Sequence, residues 1–509
     1  MKKNKNKEKL NEYNILEKKY VKLFFIWIII FAIGSIKIEF QNDTFYTIKI
    51  GELIFHNGID MLDHFSFHSN LLYTYPHWLY DLTIYIIYHL FGFIGIHISS
   101  ILLFIGLLFI VYKTNKLICK DTLMATFTVL ICALSISNFV AARAQLVSFL
   151  LFALEIYCIE SFLEKKDKKY LLGLLLISLI LCNVHVAVWP FYFILYLPYL
   201  VEYLITWIFD KVKDTNKLKI FINKKFDLEK NKQIKYLFLT MILSLSTGLL
   251  TPIKDTPYTY LIKTMMGNSQ SYIQEHQMIT WKDSPFTIIV IVETIILSFL
   301  SKEKLRDLFM IFGVALMSII SIRHLSLLAL IGTIFFSRIF ENFLKNNNLN
   351  YDLKILKFFN KKYIILICFF IVIVFSSINI YRLSKNGFAN EKRYPIEVTK
   401  YIKDNLDYKN IHLFNGYNYG SYLLFNDIPV FIDSRADLYT KQFSGLDYDI
   451  FDDYMHINSN YQEKFDFYNI THILLNKDNE SSLYFNLINN PNYNLLYEDK
   501  YFVLFEKTN

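Results

Sequence analysis

The chain has 509 residues, of which 54% are hydrophobic and only 19% are charged. Its apolar residues occur in runs of about 15 to 22, long enough to cross the ~30 Å hydrocarbon core of a bilayer. This composition excludes a soluble enzyme, a disordered chain and a fibrous repeat, and it predicts a polytopic α-helical membrane protein.

The net charge of +8 is unevenly distributed along the chain. Residues 391–509 carry −7, so the residues before them carry +15. The basic excess lies in short loops between apolar runs, where it sets membrane topology rather than binding nucleic acid. The acidic tail is predicted to be a separate soluble domain.

The five cysteines lie within or beside apolar runs and have no metal-ligand spacing. We therefore expect buried free thiols rather than a disulfide framework or a zinc site. The residues are Cys119, Cys132, Cys158, Cys182 and Cys368.

The basic segment 1–22 precedes the first apolar run, 23–36, and has no small-residue cleavage site, which predicts an uncleaved span with a cytoplasmic N-terminus. Alternate loops along the rest of the chain are rich in lysine, as the positive-inside rule requires. This pattern predicts eleven spans and a tail on the outer side. The ten later spans are predicted at 94–112, 122–138, 145–163, 170–182, 186–207, 236–252, 286–300, 307–321, 323–340 and 363–380.

The apolar segment His77–Leu90 is too short for a crossing and is followed by Gly92. Counting it as a span would place every later lysine-rich loop outside. We therefore predict an interfacial helix on the outer surface, within one large outer loop at 41–92. The predicted organisation is a cytoplasmic N-terminus (1–22), a transmembrane domain (23–383) and an extracytoplasmic α/β domain (384–509). The predicted location is the plasma membrane, which the chain crosses several times.

Uncommon polar residues collect on the predicted outer side. Ionisable side chains at membrane depth are costly and usually face a functional cavity. Alternatively, arginines can snorkel to lipid head groups and a histidine can satisfy a neighbouring carbonyl. The residues are Asp43, Asp63 and His64 in the first loop, Arg143, His185, Arg323 and His324 in later turns, and Glu275, His276 and Asp283 in the loop after the seventh span.

This set of residue types suits group transfer from a lipid-linked phosphate. Arginine and histidine side chains would bind the phosphate leaving group, and a carboxylate would accept the proton of an acceptor hydroxyl. The sequence has no Walker loop, GxSxG elbow, HExxH or CxxC motif, so it gives no support for nucleotide hydrolysis, serine hydrolysis or zinc proteolysis.

The same stretches resemble a known family. NDTFYTIKIGELIFHNGIDMLDHFSF, followed by PHWLYDLTIYIIYHLFGFIGI, resembles the first outer loop of GT-C membrane glycosyltransferases, and more closely a prokaryotic set with a C-terminal α/β domain. ARAQLVSFLLF, LCNVHVAVWPF, LLTPIKDTPYTYLIKTM and IRHLSLLAL resemble later motifs of this set, in the same order. FNGYNYGSYLLFNDIPVFIDSRADLYT resembles its terminal domain. The resemblance extends from about Asp43 to Glu506.

The resemblance implies an inverting transferase that moves a sugar from a polyprenyl-phosphate donor to an external glycan, lipid or protein. It implies Asp43 as the base. From the chemistry of the residues, we predict that Arg143, His185, Arg323 and His324 bind the donor phosphate and that Asp63 and His64 orient the acceptor. Two positions depart from the usual pattern, because Thr44 follows the first acid and Ala144 stands where the set usually has proline. The resemblance leaves the use of a divalent metal open, and we assign no cofactor and no metal ligands.

The tail alternates predicted strands and helices, which indicates a small α/β domain with a largely parallel sheet. NIHLFN, IPVFID, THILLN and a final hairpin, YNLLYED with YFVLFEK, are the predicted strands. Residues that follow strands commonly bind ligands in such sheets, which makes Asn415, Asp433, Arg435 and Asp437 candidates for sugar or acceptor recognition. The alternative, slightly favoured, is a salt-bridged turn that docks the tail on the membrane part.

Two other functions remain open from the sequence. The same arginines and histidines could bind the phosphate of a lipid-linked glycan in a transporter or flippase. The chain could also be a non-catalytic scaffold that assembles envelope proteins through its tail. An Asp43 carboxylate at the mouth of an outer cavity favours the enzyme, and the sequence shows no inverted repeat of the kind common in transporters.

Overall fold

The computed structural model describes residues 2–211, 217–228, 231–267, 272, 277–280, 288, 292, 295–296, 302–346, 352–385 and 387–508. Glu275, His276, Asp283 and most of the predicted span 286–300 lie outside these residues. The described chain is mainly helical before residue 385, where two short strands, β1 (Phe226–Asp227) and β2 (Glu303–Lys304), pair in parallel. Its helices there are α1 (Lys2–Ser35), α2 (Asn42–Asn57), α3 (Trp78–Cys119), α4 (Thr122–Ile136), α5 (Ala144–Lys165), α6 (Lys169–Val184), α7 (Trp189–Ile194), α8 (Leu197–Lys211), α9 (Lys217–Lys225), α10 (Ile234–Leu245), α11 (Thr256–Met266), α12 (Leu305–Ile320), α13 (Thr333–Asn346), α14 (Asp352–Phe359) and α15 (Lys362–Ser384).

Six helical segments in the described part of the chain are long and apolar enough to cross a membrane, which confirms a helical membrane protein. Each predicted span that falls on described residues coincides with a helix or with a series of consecutive helical segments. Eleven crossings stay a prediction. The six segments are Trp78–Cys119, Thr122–Phe139, Ala144–Lys165, Val186–Lys211, Ile322–Asn346 and Lys362–Arg382, and Lys169–Val184 and Ile234–Leu249 are shorter apolar helices.

Two glycines shape the region where α2 and α3 meet. Gly92 has φ 62° and ψ −159°, and this left-handed conformation breaks α3 between the predicted interfacial helix and the next span. Gly51 lies where α2 crosses α3, and a Cβ there would come within 2.1 Å of the Asp81 carbonyl oxygen. The small residue therefore allows α2 to lie directly on α3, which fixes the direction in which α2 begins.

A cluster of buried charges joins four of the membrane helices. The Arg338 guanidinium on α13 donates to Asp307 on α12 at 2.6 Å and to Glu160 on α5 at 2.8 Å. Arg306 on α12 donates to Glu202 on α8 at 3.3 Å. Opposite charges compensate one another here, so the cluster holds four helices in a defined arrangement.

The tail contains six helices and a four-stranded sheet, whose strands lie in the order β3 (Leu413–Phe414), β4 (His472–Asn476), β6 (Phe502–Lys507) and β5 (Tyr493–Glu498). The prediction of a largely parallel sheet is wrong, because only β3 and β4 are parallel. In the final hairpin, β6 pairs antiparallel with β4, and β5 pairs antiparallel with β6 at the edge of the sheet. The elements are α16 (Ile396–Asn405), β3 (Leu413–Phe414), α17 (Gly420–Phe425), α18 (Lys441–Ser444), α19 (Ile450–Met455), α20 (Ile457–Phe467), β4 (His472–Asn476), α21 (Ser481–Ile488), β5 (Tyr493–Glu498) and β6 (Phe502–Lys507).

The predicted strand at residues 428–433 is also wrong, and its contacts explain why. Val430 exchanges backbone hydrogen bonds with the first outer loop, donating to the Phe65 carbonyl at 3.2 Å and accepting from the Phe67 amide at 3.3 Å. The side chain of Asn415 bonds the next two residues, accepting from the Phe431 amide at 2.9 Å and donating to the Ile432 carbonyl at 2.7 Å. An outer loop and an amide side chain thus take the places of neighbouring strands.

The first outer loop and the tail share one hydrophobic core. Buried side chains of α2 and the outer loop, such as Phe45 and Tyr75, belong to the same cluster as the sheet residues Leu413 and Leu474. A separate cluster fills the membrane helices. The outer loop is therefore positioned by the tail, and the space between this unit and the membrane helices holds the candidate site.

Candidate active site

The first turn of α2 is held from two sides. The Asn42 side chain donates to the Tyr417 carbonyl of the tail at 2.8 Å. Thr44, which is 1% exposed, donates to the Ala142 carbonyl before α5 at 3.1 Å. Asp43 lies between them in the first helical turn, where the N-terminal helix dipole favours a carboxylate. The residue before the helix is Gln41, whose side chain makes no capping hydrogen bond.

Arg143 is the direct partner of Asp43. It precedes the first residue of α5, and its guanidinium forms an ion pair with the Asp43 carboxylate. The same guanidinium donates to the Gln41 side-chain oxygen at 3.2 Å. The Asp43 and Arg143 side chains are 18% and 30% exposed, so a ligand can reach both. This contact brings together the acid and the first basic residue that the sequence analysis singled out.

The turn that carries His185 is tied to the start of α3. The Val186 amide donates to the Pro76 carbonyl at 3.0 Å, and the Trp78 indole donates to the Asn183 side-chain oxygen at 2.9 Å. These bonds place the rings of His77 and His185 with centroids 4.8 Å apart. The asparagine of the NVH turn therefore holds the Trp78 helix against the histidine turn.

Arg323 and His324 form a short 3₁₀ turn after α12, Ile322–His324. The Nδ1 atom of His324 lies 3.1 Å from the Met317 carbonyl, and its ring contacts Phe191 at 5.4 Å between centroids. Further along the chain, Leu325–Leu327 and a π-helical segment, Leu328–Gly332, lead into α13. The turn thus presents Arg323 to the same space as Arg143.

A cavity of about 1570 Å³ lies between the membrane helices, the first outer loop and the tail. Its size suits a sugar, a phosphate and part of an acceptor together. Seven of the predicted site residues line it: Asp43, Arg143, His185, Arg323, His324, Arg435 and Asp437.

Asp63 and His64 do not line this cavity. Asp63 is fully buried and accepts from Arg435 at 2.6 Å and from the Ser66 hydroxyl at 2.6 Å. Burial would raise the pKa of Asp63, but the Arg435 guanidinium and the Ser66 bonds hold it below its usual value. His64 is exposed and lies 2.6 Å from the Asp60 carboxylate.

The four candidates in the tail occupy different environments. Asn415 and Asp433 are 0% exposed and do not line the cavity. Asp433 accepts from Arg435 at 2.7 Å and from the Tyr439 hydroxyl at 2.6 Å. Arg435 thus joins Asp433 to Asp63, which is the docking contact that the sequence analysis weighed as an alternative. Asp437 faces the cavity and accepts from Tyr260 at 2.5 Å.

His77, Tyr260 and Tyr417 also line the cavity and are not among the site residues predicted from the sequence. The available signal for His77 is its place directly before the Trp78 helix in PHWLYDL. Tyr417 lies in NGYNYG, two residues after the asparagine that the sequence analysis selected. Tyr260 is 8% exposed in α11, and the available signal for it is its place in the motif LLTPIKDTPYTYLIKTM.

No group of three or more His, Cys, Asp or Glu side chains among the described residues is arranged to hold a metal ion. Asp63 is engaged by Arg435, and His64 points to Asp60, so these two residues do not join Asp43. The cavity wall is instead rich in guanidinium, imidazole and phenol groups, which suit an anionic and hydroxylated ligand.

Comparisons with known proteins identify the fold. The chain is similar to the oligosaccharyltransferase of Archaeoglobus fulgidus in two crystal structures, one tethered by a disulfide to an acceptor peptide with the NVT sequon and one in the apo form. The TM-scores are 0.56 and 0.57, with 10% and 9% sequence identity. The matches cover 90% of this chain and 69% and 70% of those chains. The fold is therefore of the GT-C type, which confirms the resemblance at the level of fold.

No protein-family model matches the chain. A search of curated proteins also finds no match.

Proposed function

We propose that this chain is a membrane glycosyltransferase of the GT-C type that transfers a sugar from a polyprenyl-phosphate donor to an external acceptor. The GT-C fold supports this class of activity. The observation that carries the proposal is the Asp43–Arg143 ion pair in the wall of a large cavity that Arg323 also lines. One carboxylate and two guanidiniums are the groups needed for a proton acceptor and a phosphate site.

The reaction is a single displacement at the anomeric carbon. The acceptor oxygen or nitrogen forms a bond to this carbon, and the bond from the carbon to the phosphate oxygen breaks. The electron pair leaves with the phosphate, which Arg143 and Arg323 stabilise, and the acceptor proton passes to the Asp43 carboxylate. Attack opposite the leaving group inverts the anomeric configuration.

The Asp43–Arg143 ion pair implies that the donor binds before the proton is transferred. In the unliganded protein Arg143 holds the Asp43 carboxylate in one orientation. A donor phosphate competes for the same guanidinium, since phosphate and carboxylate both match its fork of donors. Binding of the donor thus frees the carboxylate to receive the proton of the acceptor, which is a glycan, a lipid or a protein such as the peptide acceptor of the structural neighbour.

The test uses the full chain in lipid nanodiscs and a panel of synthetic polyprenyl-phosphate hexoses and pentoses. Release of polyprenyl phosphate and formation of product are followed by mass spectrometry. Asn at position 43 keeps the size of the side chain but cannot act as a base. We expect Asp43→Asn to bind donor and to lose turnover by about 10²–10⁴-fold.

Asp60→Asn is the matched control, because Asp60 is an exposed acid in the same outer loop and lies outside the cavity. It should keep wild-type turnover. Full transfer by Asp43→Asn would remove Asp43 as the base. In proteoliposomes, movement of intact donor across the bilayer without its consumption would favour a transporter instead.

A further inference from the structure

His77 and His185 form a pair of imidazoles in the cavity wall, next to the arginine pair. Their ring centroids are 4.8 Å apart, and both side chains line the cavity. His185 is 3% exposed. From the sequence, His185 is predicted to bind the donor phosphate, but its surroundings in the structure indicate a different ligand chemistry.

The hydrogen bonds around Ser148 define which nitrogen of His185 carries the proton. The Ser148 hydroxyl lies 3.1 Å from the Ala144 carbonyl and 2.8 Å from His185 Nδ1. A hydroxyl has one proton, and a carbonyl oxygen only accepts. Both contacts are satisfied when Ser148 donates to Ala144 and His185 Nδ1–H donates to Ser148. The other nitrogen, Nε2, is then an unprotonated acceptor.

The charges around the two rings keep them neutral. Burial lowers the pKa of His77 to about 4. The Asp43 carboxylate opposes this shift, and the positive charges of Arg143 and Arg323 add to it, each with a smaller effect than Asp43. Burial, His77 and the same two arginines also lower the pKa of His185. Two guanidiniums already supply positive charge to this part of the cavity, so a third and fourth cation are disfavoured.

A neutral imidazole whose unprotonated nitrogen presents a lone pair is a poor partner for phosphate oxygens. Those oxygens also carry lone pairs and need donors, which the guanidiniums of Arg143 and Arg323 provide. The groups that a lone-pair nitrogen accepts from are O–H and N–H donors. A sugar ring supplies several hydroxyls close to its phosphate.

We propose that His185, supported by Ser148 and His77, accepts a hydrogen bond from a ring hydroxyl of the donor sugar, while Arg143 and Arg323 hold the phosphate. This inference rests on the proposed function and divides the cavity into a charged phosphate subsite and a neutral sugar subsite. His185 is then a specificity residue for the sugar rather than a phosphate ligand.

Binding measurements separate the two subsites. The probes are undecaprenyl phosphate, which has no sugar, and synthetic undecaprenyl-phosphate hexoses. The variant is His185→Asn, whose amide keeps a donor near the position of Nδ1 and has no group at the position of Nε2. We expect unchanged affinity for undecaprenyl phosphate and a loss of about 3- to 10-fold for the hexose that wild type binds best.

Arg323→Lys is the matched comparison, because it alters the phosphate subsite and should weaken both probes to the same extent. Equal weakening of both probes by His185→Asn would make His185 a phosphate ligand and overturn the inference. Unchanged binding of both probes would show a packing role and overturn it too. A wild-type protein that binds neither probe would contradict the proposed function itself.

Nitrogen NMR of the full wild-type chain, with ¹⁵N-labelled histidine, gives a second readout, taken on the unaltered site. The His185 signal should show protonated Nδ1 and unprotonated Nε2 at pH 7, both before and after addition of undecaprenyl phosphate. His185→Asn assigns the signal by its disappearance. Protonation of both nitrogens on addition of undecaprenyl phosphate would assign the histidine to the phosphate and refute the sugar contact.

Discussion

Asp63 of the first outer loop accepts a hydrogen bond at 2.6 Å from Arg435 of the tail, although 372 residues separate them in the sequence. Both side chains are buried, at 0% and 3% exposed. Arg435 also bonds Asp433, so one cation compensates two buried carboxylates. This contact joins the outer loop to the tail and thereby encloses the cavity that holds Asp43.

The two partners of this contact should differ in importance for stability. Arg435→Met leaves Asp63 and Asp433 buried without a cation, and we expect a loss of about 3–5 kcal/mol in the free energy of unfolding. Asp63→Asn should cost less, because Arg435 keeps its bonds to Asp433. Urea unfolding of the detergent-solubilised protein measures both, with Asp60→Asn as the exposed control. An Asp63→Asn protein less stable than Arg435→Met would contradict the charge balance described here.

The buried Glu480 side chain should make the stability of the protein depend on pH. Burial raises its pKa to about 7, partly offset by hydrogen bonds from the Asn476 amide and Tyr419. The folded protein therefore binds more protons than the unfolded protein between pH 4.5 and about 7. The free energy of unfolding should fall across this interval as pH rises, by about 3 kcal/mol at ~1.4 kcal/mol per unit, and level off above it.

Glu480→Gln should remove this part of the pH dependence, because the amide does not ionise. The quantity to measure is the difference in unfolding free energy between variant and wild type at pH 5 and pH 8, since other titrating groups affect both proteins equally. Asp478→Asn is the control, as its side chain is 67% exposed. A difference that stays constant with pH would show that Glu480 titrates normally.

Arg143 and Arg323 should each lose affinity for phosphate when replaced by lysine, since a planar fork becomes a point charge. We expect about tenfold weaker binding of undecaprenyl phosphate for each variant. The double variant should lose less than the sum of the two free-energy changes if both residues contact one phosphate. Arg382→Lys, an exposed position at the end of α15, controls for non-specific lipid attraction. Wild-type affinity in the double variant would favour snorkelling of both arginines to lipid head groups.

Membrane orientation follows from the loop charges, and the tail from about Ser384 should lie outside while the 210–235 loop lies inside. Four native cysteines are buried, and replacement of all five by alanine gives a background without thiols. Lys409→Cys in the tail and Asn223→Cys in α9 then introduce one exposed thiol each. A membrane-impermeant maleimide should label the first in intact cells and the second only after lysis. The reverse pattern would place Asp43 on the wrong side for an external acceptor.

Local patterns in the sequence were sufficient for much of the architecture. Hydrophobic runs predict the helices because burial in lipid requires continuous apolar segments, and Gly92 marks the break in α3 because its backbone adopts φ 62°. Loop polarity also selects Asp43, Arg143, His185, Arg323 and His324, and the structure places all five around one cavity. Ionisable residues near a membrane are rare enough that their positions carry information without an alignment.

Only the tertiary structure determines which residues contact one another. No local signal in the sequence shows that Asp63 pairs with Arg435 of the tail instead of lying in one site with Asp43. The contact depends on how the tail docks on the outer loop. The segment around Val430 has the composition of a strand but bonds the outer loop, so propensity alone misassigns it. The direction of the Ser148–His185 hydrogen bond depends on two helices meeting in space. A sequence specifies which groups are present, whereas the chemistry of each group depends on neighbours that only folding brings within a few ångströms.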